Sequence, residues 1–98
     1  MAYEIVIKKR FTNKLLGVID YLEKEWGKNV AHSFLDKVRT RIYALQSHPY
    51  IGALTSKKDV RSTLITKHNR LYYRVIKNKI FILNLYDTRR KNHGTFRN

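Results

Sequence analysis

Ninety-eight residues suffice for one small domain with a single two-layer core, and leave no room for a second. The chain has no cysteine, which excludes disulfides, thiolate metal sites and a thiol nucleophile. Its 21 lysines and arginines against 7 acids give a formal charge of +14, more than solubility requires; such a field draws nucleic acid, acidic protein segments or anionic membrane.

In chain order, "YEIVIK" is β-branched and reads as a first strand. Phe11, Leu15, Val18, Ile19, Leu22 and Trp26 then recur at spacings of three and four, which predicts an amphipathic helix with Thr12 or Asn13 as one cap and Gly27 as the other. A second helix is expected after Asn29, a good N-cap, with Val30, Ala31, Phe34, Leu35, Val38, Ile42 and Leu45 on one stripe until "SHPYIG" ends it. The short link "GKN" makes the pair an antiparallel hairpin. After the loop "GALTSKKD" come "VRSTLI", "RLYYRVI" and "KIFILNLY", joined by "TKHN" and "KNK". These links are short enough for a three-stranded antiparallel meander. The predicted fold is α+β in the order β-α-α-β-β-β: one domain over residues 1–98, with the helical hairpin on one face of a mostly antiparallel four-stranded sheet and strand one completing an edge. With no uninterrupted apolar run of membrane-spanning length, a soluble cytoplasmic protein is expected.

Alternation along the strands predicts their faces. Val60, Ser62, Leu64, Leu71, Tyr73, Val75, Phe81, Leu83 and Leu85 are expected against the helices. Arg61, Thr63, Arg70, Tyr72, Arg74, Asn84 and Tyr86 are expected together on the other face. Arginines beside tyrosines offer phosphate forks next to stacking platforms, as single-stranded RNA recognition requires, although a solvated sheet face reads the same way. From Val60 onward Asp87 is the only acid, alongside ten Lys and Arg. Most of the positive field therefore belongs to this half.

Several chemistries find no support. His32, His48, His68 and His93 lack ligand spacing, so no metal is expected; the four glycines form no phosphate loop, so no nucleotide cofactor is expected. The helix acids Asp20, Glu23, Glu25 and Asp36 read as partners of neighbouring lysines rather than a catalytic carboxylate pair. What remains is a cationic cluster of Arg61, Arg70, Arg74, Arg89 and Arg90, edged by Lys57, Lys58, His68, His93 and Tyr86. Arginines neutralise a developing oxyanion and hold a phosphorane, but stay protonated and make poor bases. Proton transfer would fall to His68, His93, Tyr86 or a lysine of lowered pKa.

The whole pattern, from "YLEKEWGKNVAHSFLDKVRTRIYALQSHPYIG" through "VRSTLI" and "RLYYRV" to "ILNLYDTRR", resembles the RelE/ParE superfamily of toxins from bacterial toxin–antitoxin modules. The spaced residues Trp26-Gly27, Ala31, Phe34, Leu45, Pro49, Gly52, Arg61, Arg70, Tyr73-Arg74 and Arg89-Arg90 carry that resemblance. It implies a small cytoplasmic toxin of the plasmid-stabilisation type, neutralised by an antitoxin with an acidic segment, in some cases as a heterotetramer. Two targets are implied: RelE-like members cut mRNA on the ribosome without a metal, and ParE-like members poison DNA gyrase. The tryptophan-glycine hairpin is similar to ParE-type members. The functional positions of RelE-type nucleases fall on Arg61, Thr63, Arg70, Arg90 and Phe96, so a threonine replaces a lysine and a phenylalanine replaces a tyrosine. The nuclease reading, which the sequence favours, gives Arg61, Arg70 and Arg90 to phosphate and transition-state binding, with Arg89 assisting and His93 or Tyr86 moving a proton. Arg74, Lys91, Tyr72, Phe96, Lys57 and Lys58 would contact substrate or partner. The alternatives are a gyrase-binding protein that is not a nuclease, and a degenerate homologue that only binds antitoxin.

Overall fold

The computed structural model describes residues 3–88. Five strands and two helices follow in the order β1 (Glu4–Ile7), α1 (Lys9–Trp26), α2 (Lys28–Ser47), β2 (Ala53–Leu54), β3 (Val60–Thr66), β4 (Asn69–Ile76) and β5 (Lys79–Asp87). The sheet runs β1-β5-β4-β3-β2, with β1 parallel to β5 and all other pairs antiparallel. The expected α+β architecture is present. The fifth strand is the two-residue β2, which lies inside the stretch read from sequence as a loop and closes the edge opposite β1.

Helix α1 begins at Lys9, ahead of the Thr12 or Asn13 cap expected from sequence, because β1 passes almost directly into it. The Lys8 N–H still donates to Ile82 O across the sheet, and the next bond, Thr12 N–H to Lys8 O, is already helical. Gly27 alone joins the helices: its N–H closes α1 on Glu23 O and its carbonyl accepts from Ala31 N–H to open α2. Its φ of +96° is ready for glycine and strained for any other residue. The second helix therefore starts at Lys28, before Asn29. Thr66–Asn69 and Ile76–Lys79 each close a two-residue hairpin, the second with Lys77 at φ +55°.

The main core lies between the hairpin and the sheet. Phe11 of α1, Phe34, Val38 and Leu45 of α2, Leu71 and Tyr73 of β4, and Ile80, Ile82 and Leu85 of β5 are all buried in it. Leu15, Val18, Ile19, Leu22 and Ile42 pack around them, as the helical spacing predicts. Trp26 and Val30 do not join: although on the predicted stripes, they are exposed.

The strand faces differ from the expectation in β3 and in β5. Arg61 pairs with Tyr73 and Thr63 with Leu71, and directly paired residues share a face, so Arg61 and Thr63 point to the helix side. Val60, Ser62 and Leu64 pair with Arg74, Tyr72 and Arg70 and take the distal face, the reverse of the expectation for β3. In β5 a bulge interrupts pairing between Tyr72–Asn84 and Tyr73–Ile82, so Leu83 is an extra residue. The bulge resets the alternation. Phe81 and Leu83, expected against the helices, thus belong to the distal face, while Leu85, Asn84 and Tyr86 lie where predicted. Ile65 follows on the helix side and packs against the main core, and the register becomes irregular between Leu64 and Thr66.

Candidate functional site

Two polar assemblies sit on opposite sides of the sheet. On the helix side, Arg61 locks the chain that leaves α2. Its Nη1 donates to Gly52 O at 2.7 Å and to Tyr50 O at 3.3 Å, and the guanidinium lies 5.0 Å from the Tyr50 ring centroid. The Gly52 N–H in turn donates to the Tyr73 hydroxyl at 2.9 Å. A Cβ at position 52 would stand 2.6 Å from Tyr73 Oη and 2.7 Å from Ser62 O, so this approach needs glycine. Burial pushes the Tyr73 phenol above its ordinary value, with the Gly52 hydrogen bond and the Arg61 and Arg41 charges pulling the other way. Both functional groups of Gly52 are therefore held by side chains of neighbouring strands. Arg61 acts here as a fastener.

The distal face holds the second assembly. Val60 and Tyr72 are buried together, with Leu83 and Tyr86 packed against them. Arg70 Nη1 donates to Ser62 Oγ at 2.9 Å, which fixes the guanidinium beside Tyr72. The Tyr72 and Tyr86 rings meet edge to face with centroids 5.4 Å apart, a favoured aromatic geometry. Asn84 Nδ2 donates to Tyr86 Oη at 3.1 Å while its Oδ1 accepts the Leu85 N–H at 2.9 Å, so the buried amide is satisfied at both ends. Lys14 reaches from α1 to place its ammonium 4.6 Å from the Tyr86 ring centroid. Beyond the end of β1, this second turn of α1 reaches the Tyr86 end of β5.

The loop before β3 is tied to the sheet by Arg74 Nη2, which donates to Lys58 O at 3.4 Å, by Thr55, whose N–H and Oγ1 both donate to Val60 O at 2.9 and 3.0 Å, and by the Val60 N–H, which donates to Lys57 O at 3.1 Å. Arg74 Nε is buried without a hydrogen-bond partner. Burial raises the Tyr72 phenol, the Arg70 charge lowers it in part, and Tyr86 adds a further rise. Tyr72 is thus a hydrogen-bond donor at neutral pH, as are the arginines. The cluster supplies cations, donors and aromatic edges.

Of the residues expected to form a site, Arg70, Tyr72, Arg74 and Tyr86 come together on the distal face, with Lys57 and Lys58 in the loop at its border. Arg61 does not join them, because its β3 register turns it to the helix side. Arg89, Arg90, Lys91, His93 and Phe96 lie outside the described residues. Sequence reasoning missed Ser62 by assigning the wrong face. It missed Lys14 because no spacing announces a helix residue that reaches around a strand edge. Among the described residues, no group of three or more His, Cys, Asp or Glu side chains is placed to hold a metal ion. Among the same residues, no helix is long and apolar enough to cross a membrane.

This β-α-α-β-β-β-β chain, with its cationic and aromatic distal face, has recognisable relatives. Residues 5–92 match the family described as the ParE toxin of the type II toxin–antitoxin system parDE. The chain belongs to this family. No curated protein sequence matches it. Among solved structures, this ParE-family chain is similar to one from the chromosomal ParDE system of Pseudomonas aeruginosa, at a TM-score of 0.77 and 16% identity over 88% of this chain and 96% of that one. It is also similar to the toxin–antitoxin complex DinJ–YafQ of Escherichia coli, at a TM-score of 0.62 and 9% identity over 89% and 93% of the two chains. The YoeB dimer from Staphylococcus aureus gives a TM-score of 0.59 at 13% identity, over 88% and 97%. At such identities the likeness is one of fold.

Proposed function

We propose that this ParE-family protein is a growth-arresting toxin that acts by binding a protein target, DNA gyrase, rather than by cleaving RNA. One observation carries the choice of target: Arg61, a position expected to neutralise the transition state of RNA cleavage, lies across the sheet from Arg70 and is spent on Gly52 and Tyr50. In-line cleavage needs its cations converging on one phosphate within hydrogen-bonding reach. A binding surface has no such requirement.

The proposed neutralising partner is an antitoxin with an acidic segment, which the field of a +14 chain would attract and orient. The solved ParDE and DinJ–YafQ neighbours are themselves toxin–antitoxin systems, which supports such a partner. Ribosome-dependent mRNA cleavage is the second reading. It is favoured by the pairing of Arg70 with the Tyr72 and Tyr86 rings, a combination suited to a nucleobase and its phosphate.

Induction in cells separates the two. Gyrase poisoning gives double-strand breaks and an SOS response with messages intact, and purified protein then inhibits supercoiling. Mapping mRNA 5′ ends after induction provides the opposing readout: cuts at codon boundaries in translated messages would overturn the proposal in favour of the nuclease.

A further inference from the structure

We infer that the tip of the α1–α2 hairpin is a docking surface separate from the cationic face, and that it takes a protein partner presenting an apolar cleft rimmed by basic side chains. The inference rests on the reading that the protein works by binding a protein target, and it names the surface that would engage that target.

Every residue from Glu23 to Val30 is exposed. Within this end of the hairpin Tyr21 is 57%, Trp26 67% and Val30 42% exposed. Trp26 lies on the same helical stripe as Leu15, Ile19 and Leu22, which pack on the core, yet it stands clear of it. Burying a large apolar side chain gains about 1.5–3 kcal/mol, so the fold leaves unused what its only tryptophan offers. Tryptophan is also the residue type most enriched where protein interfaces concentrate their energy.

The tip is held in shape. Gly27 is the whole connection, and the Gly27–Glu23 and Ala31–Gly27 backbone bonds bring both helices into register on either side of it. Trp26 and Val30 are therefore presented from helix ends rather than from a loop, which lowers the ordering cost of docking.

Charge selects the partner. Between Asp20 and Val30 three carboxylates face two lysines, leaving −1 in a chain that totals +14. Asp20 and Lys24 pair across one turn at 3.2 Å, and the exposed Glu23 and Glu25 neighbour Trp26. An acidic segment drawn to the rest of the molecule is not favoured here, whereas a basic rim is. A second copy joined tip to tip by a two-fold axis would oppose carboxylate to carboxylate. Partners of opposite charge would thus use opposite regions of the same toxin.

The single tryptophan makes the test direct. Protein labelled with 5-fluorotryptophan gives one fluorine resonance, to be followed while purified gyrase is added and, separately, poly-glutamate. The expected result is a shifted or broadened resonance with gyrase and an unmoved one with poly-glutamate. Trp26→Ala should weaken gyrase binding at least tenfold with thermal unfolding unchanged, and Trp26→Phe should recover part of it. Gyrase binding by the wild type that is undiminished in Trp26→Ala overturns the inference alone. A wild-type protein that does not bind gyrase overturns the target reading, and the inference with it. A tryptophan resonance that moves with poly-glutamate, or a dimer in sedimentation that Trp26→Ala abolishes, would assign the tip to another occupant and refute the inference.

Discussion

Replacing Arg61 distinguishes a fastener from a reactive group. Arg61→Ala removes the 2.7 Å bond to Gly52 O, the 3.3 Å bond to Tyr50 O and the stacking of the guanidinium on the Tyr50 ring. A hydrogen bond from a charged donor is worth about 1.5–3 kcal/mol, and its part-exposed setting here points to the lower end. The longer, exposed bond adds little, and an exposed cation–π contact adds about 0.5–1 kcal/mol. The expected loss is about 2 kcal/mol, which for a domain of this size lowers Tm by roughly 8–16 °C. Arg61→Lys keeps a charged donor but loses the planar guanidinium that sets Nη1 between the two carbonyls and beside the Tyr50 ring, so about half of that loss should remain. Circular-dichroism melting reads the stability, and growth arrest at a temperature where both variants are folded reads the function. A fastener predicts lowered melting with toxicity retained below it. Melting like wild type with toxicity abolished in Arg61→Ala would refute the reasoning and return Arg61 to the target-contacting surface.

Gly52→Ala sets a Cβ against the Ser62 carbonyl, where backbone must move, and should cost about 1–3 kcal/mol in denaturant unfolding. Gly27→Ala strains a φ of +96° with open space around it, so about 1 kcal/mol is expected from the backbone alone. Tyr72 and Tyr73 both carry raised pKa values, so the unfolded chain ionises them first, at about pH 10. Their contribution to stability is complete below that pH and is lost as pH rises through the folded values. Tyrosinate absorbance should show a late-titrating fraction that shrinks in Tyr72→Phe and in Tyr73→Phe.

Much of the fold was legible because periodicity reports burial. Leu15, Val18, Ile19 and Leu22 at helical spacing pack as expected, and Leu71, Tyr73 and Val75 alternate onto the core from β4. The failures have local causes. Asn29 looked like a cap, but the positive φ of Gly27 turns the chain within one residue and lets α2 begin at Lys28. Trp26 continued a stripe whose covering layer ends before it does. The face of β3 could not be read from alternation, since Val60, Ser62 and Leu64 are no less apolar as a set than residues that face the helices. Its register is fixed instead by partners distant in sequence, Arg74, Tyr72 and Arg70.

The bulge at Leu83 has the widest consequence. Without it, strict alternation would place Phe81, Leu83 and Leu85 on one face and Asn84 with Tyr86 on the other, and all three apolar residues could not serve the main core together with Ile80 and Ile82. The extra residue resolves the conflict by letting Ile80, Ile82 and Leu85 share the helix side, although their spacing is not uniform. It also sets Leu83 beside Tyr72 and lets Asn84 bind both the Leu85 N–H and the Tyr86 hydroxyl. The same irregularity that completes the core therefore orients Tyr86 against Tyr72, next to Arg70. Core packing and the aromatic, cationic surface share one backbone feature, so Asn84→Ala, which frees the bulge from its side-chain bonds, should disturb the surface before it disturbs the fold.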